Sequence, residues 1–293
     1  MDQAERLRRM VQSKTVDASP TTARVITVTS GKGGVGKTNT VVNLAIQFKK
    51  AGKRVIILDA DFGMANIEVM FGAIPKYNLV DMVQKGMPLR KIVTEGPMGV
   101  GFISGGSGVA DLVDLEKDQL QYLIRRLKEL DEIADIILID TGAGIGNTVV
   151  EFLTASSEIV VVTTPEPTSI TDAYSLLKTL NNTPGFLDKK AKIYFLANRV
   201  DSKNEGKTLF QNLSVVVNKF LSIRMDYLGI VPQDDAILRA VMQQSPVSVK
   251  MPASRSSKAF ENLARELLDE PVEETGRTGG ITALLMSLIK KKY

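Results

Sequence analysis

The chain has 293 residues, 44% of them hydrophobic and 24% charged, a composition typical of a soluble globular protein with one or two domains. It contains neither cysteine nor histidine, which excludes disulfides, cysteine-ligated clusters, and histidine-based catalysis or zinc sites. The net charge of +4 divides into +1 for residues 1–23, +3 for residues 281–293 and zero between them, which argues against a basic DNA-binding face.

Residues 1–23 are predicted to form an N-terminal arm ahead of the folded domain. Asp2 and Glu5 have the spacing of a helix capping box, and an apolar stripe follows at helical spacing: Ala4, Leu7, Met10 and Val11. A solvated or disordered arm is the open alternative. The arm carries charges throughout and has no secretory pattern, so we expect a cytoplasmic protein.

The first predicted strand, residues 25–29, leads into the most informative motif of the chain. Residues 31–38 read Gly-Lys-Gly-Gly-Val-Gly-Lys-Thr and satisfy the phosphate-binding pattern G-x-x-x-x-G-K-[ST]. The glycines let backbone N–H groups approach a polyphosphate, while Lys37 supplies a charge for the β- and γ-phosphates and Thr38 a hydroxyl for Mg²⁺. A helical pattern over 39–51 follows, and strand, loop and helix N-terminus together predict an anion site.

From residue 24 to about residue 269, short β-branched runs alternate with longer helical patterns. The predicted strands are 25–29, 54–58, 100–103, 135–139, 159–163, 192–197 and 227–230. The predicted helices are 39–51, 116–131, 147–156, 168–181, 205–221, 234–243 and 256–268. Continuously apolar strands indicate burial on both faces. We therefore predict an α/β fold over residues 24–269, with a single doubly wound, mostly parallel sheet and helices on both faces.

Three aspartates follow or end predicted strands. Asp59 and Asp61 come after the strand 54–58, and Asp140 follows the strand 135–139. Ligands bind at the carboxyl ends of strands in doubly wound sheets, so these carboxylates are expected beside the phosphate loop, around Mg²⁺ and an attacking water. An aspartate in this position can instead cap a following helix, which is the alternative reading for each.

The chain ends with a polar, linker-like stretch over residues 270–280 and a short helical pattern over 281–293. The apolar residues of this last segment share one helical face, and a lysine run follows them: Ile281, Leu284, Leu285, Leu288, Ile289, Lys290, Lys291 and Lys292. This pattern predicts an amphipathic helix that binds an anionic membrane surface. A helix docked on the protein's own core is the alternative.

These motifs together resemble the MinD/ParA class of P-loop ATPases over about residues 24–268. Residues 32–38 resemble its deviant Walker A loop, and the segments Asp59-x-Asp61 and Asp140-Thr-Gly-Ala-Gly resemble switch I and switch II. Within the class, residues 2–8, residues 61–66 and the C-terminal helix are most similar to the FlhG group, MinD-like regulators of flagellar number and placement. Gly142 stands where many MinD relatives have proline.

The resemblance implies a role for each matching residue. Lys32 would reach the nucleotide of a second subunit, Asp61 would orient the attacking water, and Lys37 completes the catalytic set. Magnesium would be held by Thr38, Asp59, Asp61 and Asp140. The remaining nucleotide contacts are assigned to the loop and to residues around the base and the dimer face: Gly31, Lys32, Gly33, Gly34, Val35, Gly36, Lys37, Thr38, Asn39, Asn198, Arg199, Pro232, Asp234 and Glu166. Asp172 would lie with Glu166 at that dimer face.

The function implied by this resemblance is an Mg²⁺-dependent ATPase that forms a homodimer with ATP and is activated by dimerisation. It would bind the inner face of the cytoplasmic membrane reversibly and regulate flagellar number and placement. Its implied partners are flagellar switch proteins of the C-ring and FlhF, a GTPase of the signal-recognition-particle type, with Gln3 reaching the GTPase site.

Other functions remain open at the level of sequence. A partition or cell-division-site positioning ATPase of the ParA/MinD type is the main alternative; a ParA-type function would require DNA binding, which the neutral body disfavours. A ligase-like P-loop enzyme would need a second substrate pocket, for which no motif is present. GTP is the alternative nucleotide, although Asn198-Arg-Val-Asp only approaches the GTP-reading Asn-Lys-x-Asp motif.

Overall fold

The computed structural model describes residues 22–61, 66–105 and 126–269, together with Ile281 and Leu284. Within these residues, eight strands form one sheet: β1 (Arg24–Thr29), β2 (Val55–Ala60), β3 (Thr94–Glu95), β4 (Gly101–Ile103), β5 (Ile136–Thr141), β6 (Glu158–Thr163), β7 (Lys192–Val200) and β8 (Asp226–Pro232). The strand order is β3-β4-β2-β5-β1-β6-β7-β8, and all neighbours are parallel except β3 and β4. The predicted mostly parallel α/β sheet is confirmed.

Helices connect the strands and cover the sheet. In the described part of the chain they are α1 (Lys37–Lys50), α2 (Asn66–Phe71), α3 (Leu79–Lys85), α4 (Leu89–Ile92), α5 (Glu129–Ile133), α6 (Asn147–Ala155), α7 (Pro167–Asn181), α8 (Lys203–Phe220), α9 (Asp235–Met242), α10 (Val247–Lys250) and α11 (Arg255–Asp269). The predicted helix 116–131 lies mostly outside the described residues, and so does the predicted N-terminal arm.

Alternate strand residues pack against helices on opposite faces of the sheet. On one face, α1, α2, α9, α10 and α11 cover residues such as Ile26, Ile57 and Leu138. On the other face, the strand residues form two clusters, one with α3, α4 and α5 and one with α7 and α8, and α6 contributes to both. Because both faces are covered, the central strands are apolar at nearly every position, which is the pattern the sequence carries.

The strand register brings the carboxyl ends of β1, β2 and β5 together. Asp59 on β2 is the direct neighbour of Asp140 on β5, and Asp140 also pairs with Val28 on β1. Both aspartates have the same strand parity as Ile57 and Leu138, so they point to the face that α1 covers. The phosphate loop joins β1 to α1 at this same edge, so the topology alone places the carboxylates beneath the loop.

Candidate nucleotide-binding site

The phosphate loop turns sharply between β1 and α1. Gly34 and Gly36 have φ angles of +74° and +98°, in the left-handed region that side chains disfavour. Gly36 is the residue before α1, and no side chain caps the helix there, so the first N–H groups of α1 are left to an external acceptor. Positively charged helix ends of this kind bind phosphate.

Close packing requires glycine at two positions of the loop, Gly31 and Gly36. A Cβ atom on Gly31 would lie 2.1 Å from the carbonyl carbon of Asp172, because the loop rests on the backbone of α7. A Cβ atom on Gly36 would lie 2.3 Å from Nδ2 of Asn198. The loop is therefore fitted between α7 and the end of β7, and Asp172 contributes backbone packing at this point.

Lys32 points away from the loop and towards the start of α7. Its Nζ atom lies 2.5 Å from Oε2 of Glu166 and 2.8 Å from Oγ1 of Thr168, and donates to both. Hydrogen bonding to Lys32 and its charge hold the pKa of Glu166 below the usual range. Lys32 and Glu166 are both partly exposed, with side chains 36% and 53% accessible, so the pair can open towards solvent or another subunit.

The carboxylates beneath the loop have strongly raised pKa values. Burial, followed by the charge of Asp140, raises the pKa of Asp59 to about 8, although the hydrogen bond from the backbone N–H of Asp61 acts in the opposite direction. Burial also raises the pKa of Asp140 to about 7, although the Thr38 hydroxyl and the charge of Lys37 act in the opposite direction. Two adjacent buried acids repel each other when both are ionised, so this edge has an affinity for a cation.

The oxygen donors at this edge of the sheet suit Mg²⁺, which takes phosphate and water ligands as well as protein ligands. Both carboxylate oxygens of Asp140 are buried, and among the described residues none meets hydrogen-bond geometry with them, although Thr38 lies near enough to affect the pKa; the oxygens are therefore available as ligands. In that part of the chain, no three acidic side chains come close enough to hold a metal by themselves. Mg²⁺ is commonly held by one or two carboxylates together with phosphate oxygens and water, which agrees with a hydroxyl at Thr38 and carboxylates at Asp59 and Asp140.

Asp61 follows β2 in switch I and lies close to Gly142 in switch II. Its backbone N–H donates to Oδ1 of Asp59 over 3.1 Å, and Nδ2 of Asn66 donates to its Oδ2 over 3.4 Å. A Cβ atom on Gly142 would lie 3.3 Å from Oδ1 of Asp61. The glycine at position 142 thus leaves room for Asp61, and the two switch segments meet at this contact.

The residues predicted to bind the base occupy the ends of β7 and β8. Asn198 is buried; its Nδ2 donates to the carbonyl of Val35 over 2.7 Å, and its Oδ1 accepts from the N–H of Arg199. Arg199 has a φ angle of +58°, uncommon for a residue other than glycine, at an irregularity in the β7–β8 register. Asn198 therefore lies directly against the phosphate loop, Arg199 follows it at the end of β7, and Pro232 ends β8.

Asp234, which is predicted to close the base pocket, caps α9 and contacts α11 in the structure. Its Oδ1 caps α9 by accepting from the N–H of Ala236, and its Oδ2 accepts from the N–H and the hydroxyl of Ser256. Both carboxylate oxygens are thus engaged in joining α9 to α11. These contacts give Asp234 a structural role, and its contact with the base stays a prediction.

Two side chains near the site were not singled out from the sequence. Thr168 binds Lys32, and Asn66 binds Asp61. Thr168 is 136 residues from Lys32, so no local pattern points to this contact, whereas Asn66 ends the segment 61–66 that begins with its partner Asp61. The remaining loop residues Gly33, Val35 and Asn39 lie where the motif put them, between β1 and the second turn of α1.

The described part of the predicted membrane helix lies on the protein's own core. Ile281 and Leu284 are helical, 0% and 2% exposed, and pack in the cluster formed with α3, α4 and α5. The other predicted membrane residues, Leu285, Leu288, Ile289 and Lys290 to Lys292, lie outside the described residues, as does Gln3. Among the described helices, none combines the length and hydropathy needed to cross a bilayer.

This fold and site define a class of nucleotide-binding protein. The family model described as "CobQ/CobB/MinD/ParA nucleotide binding domain" matches residues 26–247, and the chain belongs to this family.

Its similarities within the family are more specific. The chain is 40% identical over 254 residues to the antiactivator FleN of Pseudomonas aeruginosa, with 87% of this chain and 89% of FleN covered. It is 34% identical over 249 residues to the flagellum site-determining protein YlxH of Helicobacter pylori, covering 84% and 82% of the two chains. MinD of Pyrococcus horikoshii, solved with Mg-ADP, matches with a TM-score of 0.67 at 23% identity over 84% of this chain and 96% of that one. The resemblance to MinD/ParA proteins and their flagellar members is confirmed.

Proposed function

We propose that this protein is an ATP-dependent, membrane-recruited switch that regulates flagellar number and placement. The observation that carries the proposal is the 40% identity to FleN over most of both chains, combined with the buried, unpartnered carboxylate of Asp140 beneath a complete phosphate loop. The relative YlxH is named as a flagellum site-determining protein. The domain organisation we propose is an arm at 1–23, an ATPase domain at 24–269, a linker at 270–280 and a membrane helix at 281–293.

In the nucleotide-binding half of the proposal, each residue has a simple physical task. Loop N–H groups and Lys37 bind the phosphates, while Asn198 lies against the loop and Arg199 follows it, both for the base. Thr38, Asp59 and Asp140 would hold Mg²⁺, which neutralises phosphate charge when bound. Asp61, fixed by the N–H contact to Asp59 and by Asn66, would orient the attacking water.

Dimerisation would bring Lys32 of one subunit to the phosphates bound by the other. In the single chain Lys32 is held by Glu166 and Thr168 on the rim of the site. When a second subunit binds face to face, the triphosphate in its site would compete with Glu166 for Lys32. The Lys32 ammonium would then bind the partner's phosphate oxygens. Hydrolysis would accelerate only in the dimer, so the hydrolysis rate would set how long the dimer lasts before its subunits separate.

Membrane binding would follow from the same step. Ile281 and Leu284 are buried against the core, so these two side chains must leave the core before they can enter a bilayer. A single short amphipathic helix binds membranes weakly, whereas two helices on one dimer bind much more strongly through effective concentration. At the other end, we propose that the arm stimulates an FlhF-type GTPase through Gln3.

The membrane half of this proposal has a direct test. Co-sedimentation with vesicles containing anionic lipid should be strong with Mg²⁺ and a non-hydrolysable ATP analogue and weak with Mg-ADP. Deleting residues 281–293 should remove the difference, and equal binding in both nucleotides would contradict the switch. A cell-division or partition function, the second candidate, would instead leave flagellar number unchanged on deletion of the gene.

The partner half is tested separately. A peptide of residues 1–20 should stimulate the GTPase activity of FlhF, and the same peptide with Gln3→Ala should not. The absence of any stimulation by the unmodified peptide would remove this part of the proposal and leave the ATPase switch intact.

A further inference from the structure

An open cavity of about 490 Å³ lies at the edge of the sheet opposite the phosphate loop. It is formed where β2 and β4 begin and β3 ends, and its apolar walls include Val55, Ile56, Val93 and Ile133. Asp59 is four residues beyond Val55 on β2, a distance of about 13 Å in an extended strand, so the cavity is separate from the nucleotide site. Its volume is within the range of about 300–1,000 Å³ that small-molecule sites occupy.

The cavity depends on a glycine at position 101. Gly101 begins β4 and is the direct neighbour of Ile56 on β2. A Cβ atom on Gly101 would lie 3.0 Å from Cγ1 of Val93 and 3.2 Å from Cγ1 of Ile56, so a side chain here would displace the cavity walls. The turn Pro97–Gly99 contributes to the lining through its last residue, and Met98 within it has a φ angle of +58°. Such a conformation is uncommon outside glycine, and strained backbone of this kind is concentrated at functional sites.

Three cationic side chains line the cavity together with these apolar walls. Arg54 is held in place: its Nε and Nη2 donate to Oδ1 of Asp135 over 3.1 and 2.7 Å, and its Nη1 donates to the carbonyl of Glu132 over 2.7 Å. One N–H on each Nη atom is left without an acceptor among the described residues. The side-chain nitrogens of Lys49 and Arg90 form no ion pair or hydrogen bond within the described part of the chain.

Positive charge exceeds negative charge at this cavity. The charge of Arg54 is balanced by its ion pair with Asp135. Lys49 and Arg90 share the lining with one carboxylate, that of Glu95. The three cations come from separate segments, namely the last turn of α1, the residue before β2, and α4. Apolar walls strengthen the field of such unbalanced cations, so the cavity attracts an anion.

We propose that this cavity is a second ligand site, which binds a small organic phosphate through Lys49, Arg54 and Arg90. A phosphate group presents oxygens in several directions, which suits a fixed guanidinium and two further cations on separate segments. A carboxylate has two oxygens in one plane, so it can engage the two remaining N–H groups of Arg54 but not all three cations. The apolar walls receive the organic part of the ligand. This site is additional to the proposed function and does not depend on it.

Methyl NMR of the full chain in saturating Mg-ADP, which occupies the phosphate loop, tests the proposal with 1-naphthyl phosphate as the probe. The probe should shift the methyl signals of Val93 and Ile133 saturably, with a Kd of about 1 mM or below. The methyl signals of Val35 in the phosphate loop should not move. Uncharged 1-naphthol should bind at least about tenfold more weakly, because it forms no charge-assisted hydrogen bonds. 1-Naphthoate, which has a planar carboxylate, should bind about threefold more weakly or worse.

Charge variants show whether the named cations bind the probe. Lys49→Gln and Arg90→Gln should each weaken binding about fivefold, the effect of losing one partly solvated charge contact. Lys91→Gln is the matched control, because it removes the charge of the next residue of α4, which is exposed and does not line the cavity. It should bind the probe as the unmodified chain does. Affinity for Mg-ADP should stay within about twofold in all three variants, since their sites are distant from the phosphate loop.

Several results would overturn this second site and leave the ATPase switch standing. The first is the absence of a saturable shift at Val93 and Ile133, or a shift confined to Val35, which would place the probe in the phosphate loop. Equal binding of 1-naphthol would mean that the cavity takes apolar molecules without regard to charge. Equal binding of 1-naphthoate would overturn the assignment to phosphate. An equal loss of affinity in Lys91→Gln would mean that the probe responds to the general charge of the surface.

Discussion

Lys32 and Glu166 form an ion pair with 2.5 Å between Nζ and Oε2, although they are 134 residues apart in the chain. The pair occupies the rim of the nucleotide site, where Lys32 is held by its own chain. The family resemblance assigns this lysine to the nucleotide of a partner subunit, whereas in the single chain it is held by Glu166 and Thr168. In the proposed dimer, this contact would be exchanged for one with the partner's nucleotide.

Releasing Lys32 should make assembly easier. In Glu166→Ala, the protein concentration that gives half-maximal ATPase activity should fall about two- to fivefold, because an exposed ion pair opposes dimerisation only weakly. The measurement is specific activity against protein concentration. Glu261→Ala, which breaks the exposed pair with Arg265 on α11, is the control and should leave the concentration dependence unchanged. A higher half-maximal concentration in Glu166→Ala would mean that Glu166 contributes to the dimer contact.

The packing of the phosphate loop can be tested at Gly36. An alanine there combines a disfavoured φ of +98° with a Cβ only 2.3 Å from Nδ2 of Asn198. Gly36→Ala should reduce nucleotide affinity at least about fiftyfold, because the strained loop no longer presents its N–H groups in place. Titration calorimetry measures the affinity. Gly146→Ala meets no atom within 4 Å and should bind nucleotide normally; equal affinities in the two variants would refute the packing role.

The raised carboxyl pKa values predict a pH dependence of stability in the absence of nucleotide. Between about pH 4, where the unfolded acid titrates, and about pH 8, the folded chain binds a proton at Asp59 that the unfolded chain does not. The free energy of unfolding therefore falls as pH rises through this range. In Asp59→Asn the fall should be shallower, as measured by urea unfolding at pH 6 and pH 8.5. Parallel pH profiles for the two proteins would contradict the raised pKa.

Asp234 provides a test between helix capping and base binding. Asp234→Ala should lower the free energy of unfolding by about 1–2 kcal/mol, the usual effect of losing a cap, and should leave the preference for ATP over GTP unchanged. Asp235→Ala, at the exposed first residue of α9, is the matched control and should have a small effect. A changed nucleotide preference without loss of stability would restore Asp234 to the base pocket.

Much of the fold was predictable because its determinants are local. The seven strands read from continuous apolar runs are all present within one to three residues of their predicted ends. The strand β3 and the helices α2, α3, α4 and α10 were not predicted. They have two to seven residues, and in segments this short the packing against the sheet decides the structure more than intrinsic propensity does.

In the site, too, the local features were predictable and the contacts between distant segments were not. The phosphate loop and the strand-end aspartates follow from residue type and spacing, whereas the Lys32–Glu166 contact joins distant segments and leaves no local pattern. Asp234 was within the predicted helix 234–243, whereas in the structure the helix begins at Asp235 and Asp234 is its N-cap. Its second contact, with Ser256, joins segments 22 residues apart and also leaves no local pattern.

In the proposed dimer, two chains enclose their bound ATP. Light scattering of Asp61→Ala with Mg-ATP tests it most directly, since this variant should bind ATP without hydrolysing it. The mass should double from 31.9 kDa, and the double variant Lys32→Ala, Asp61→Ala should dimerise less readily. A mass that stays at the monomer value in saturating Mg-ATP would contradict the account.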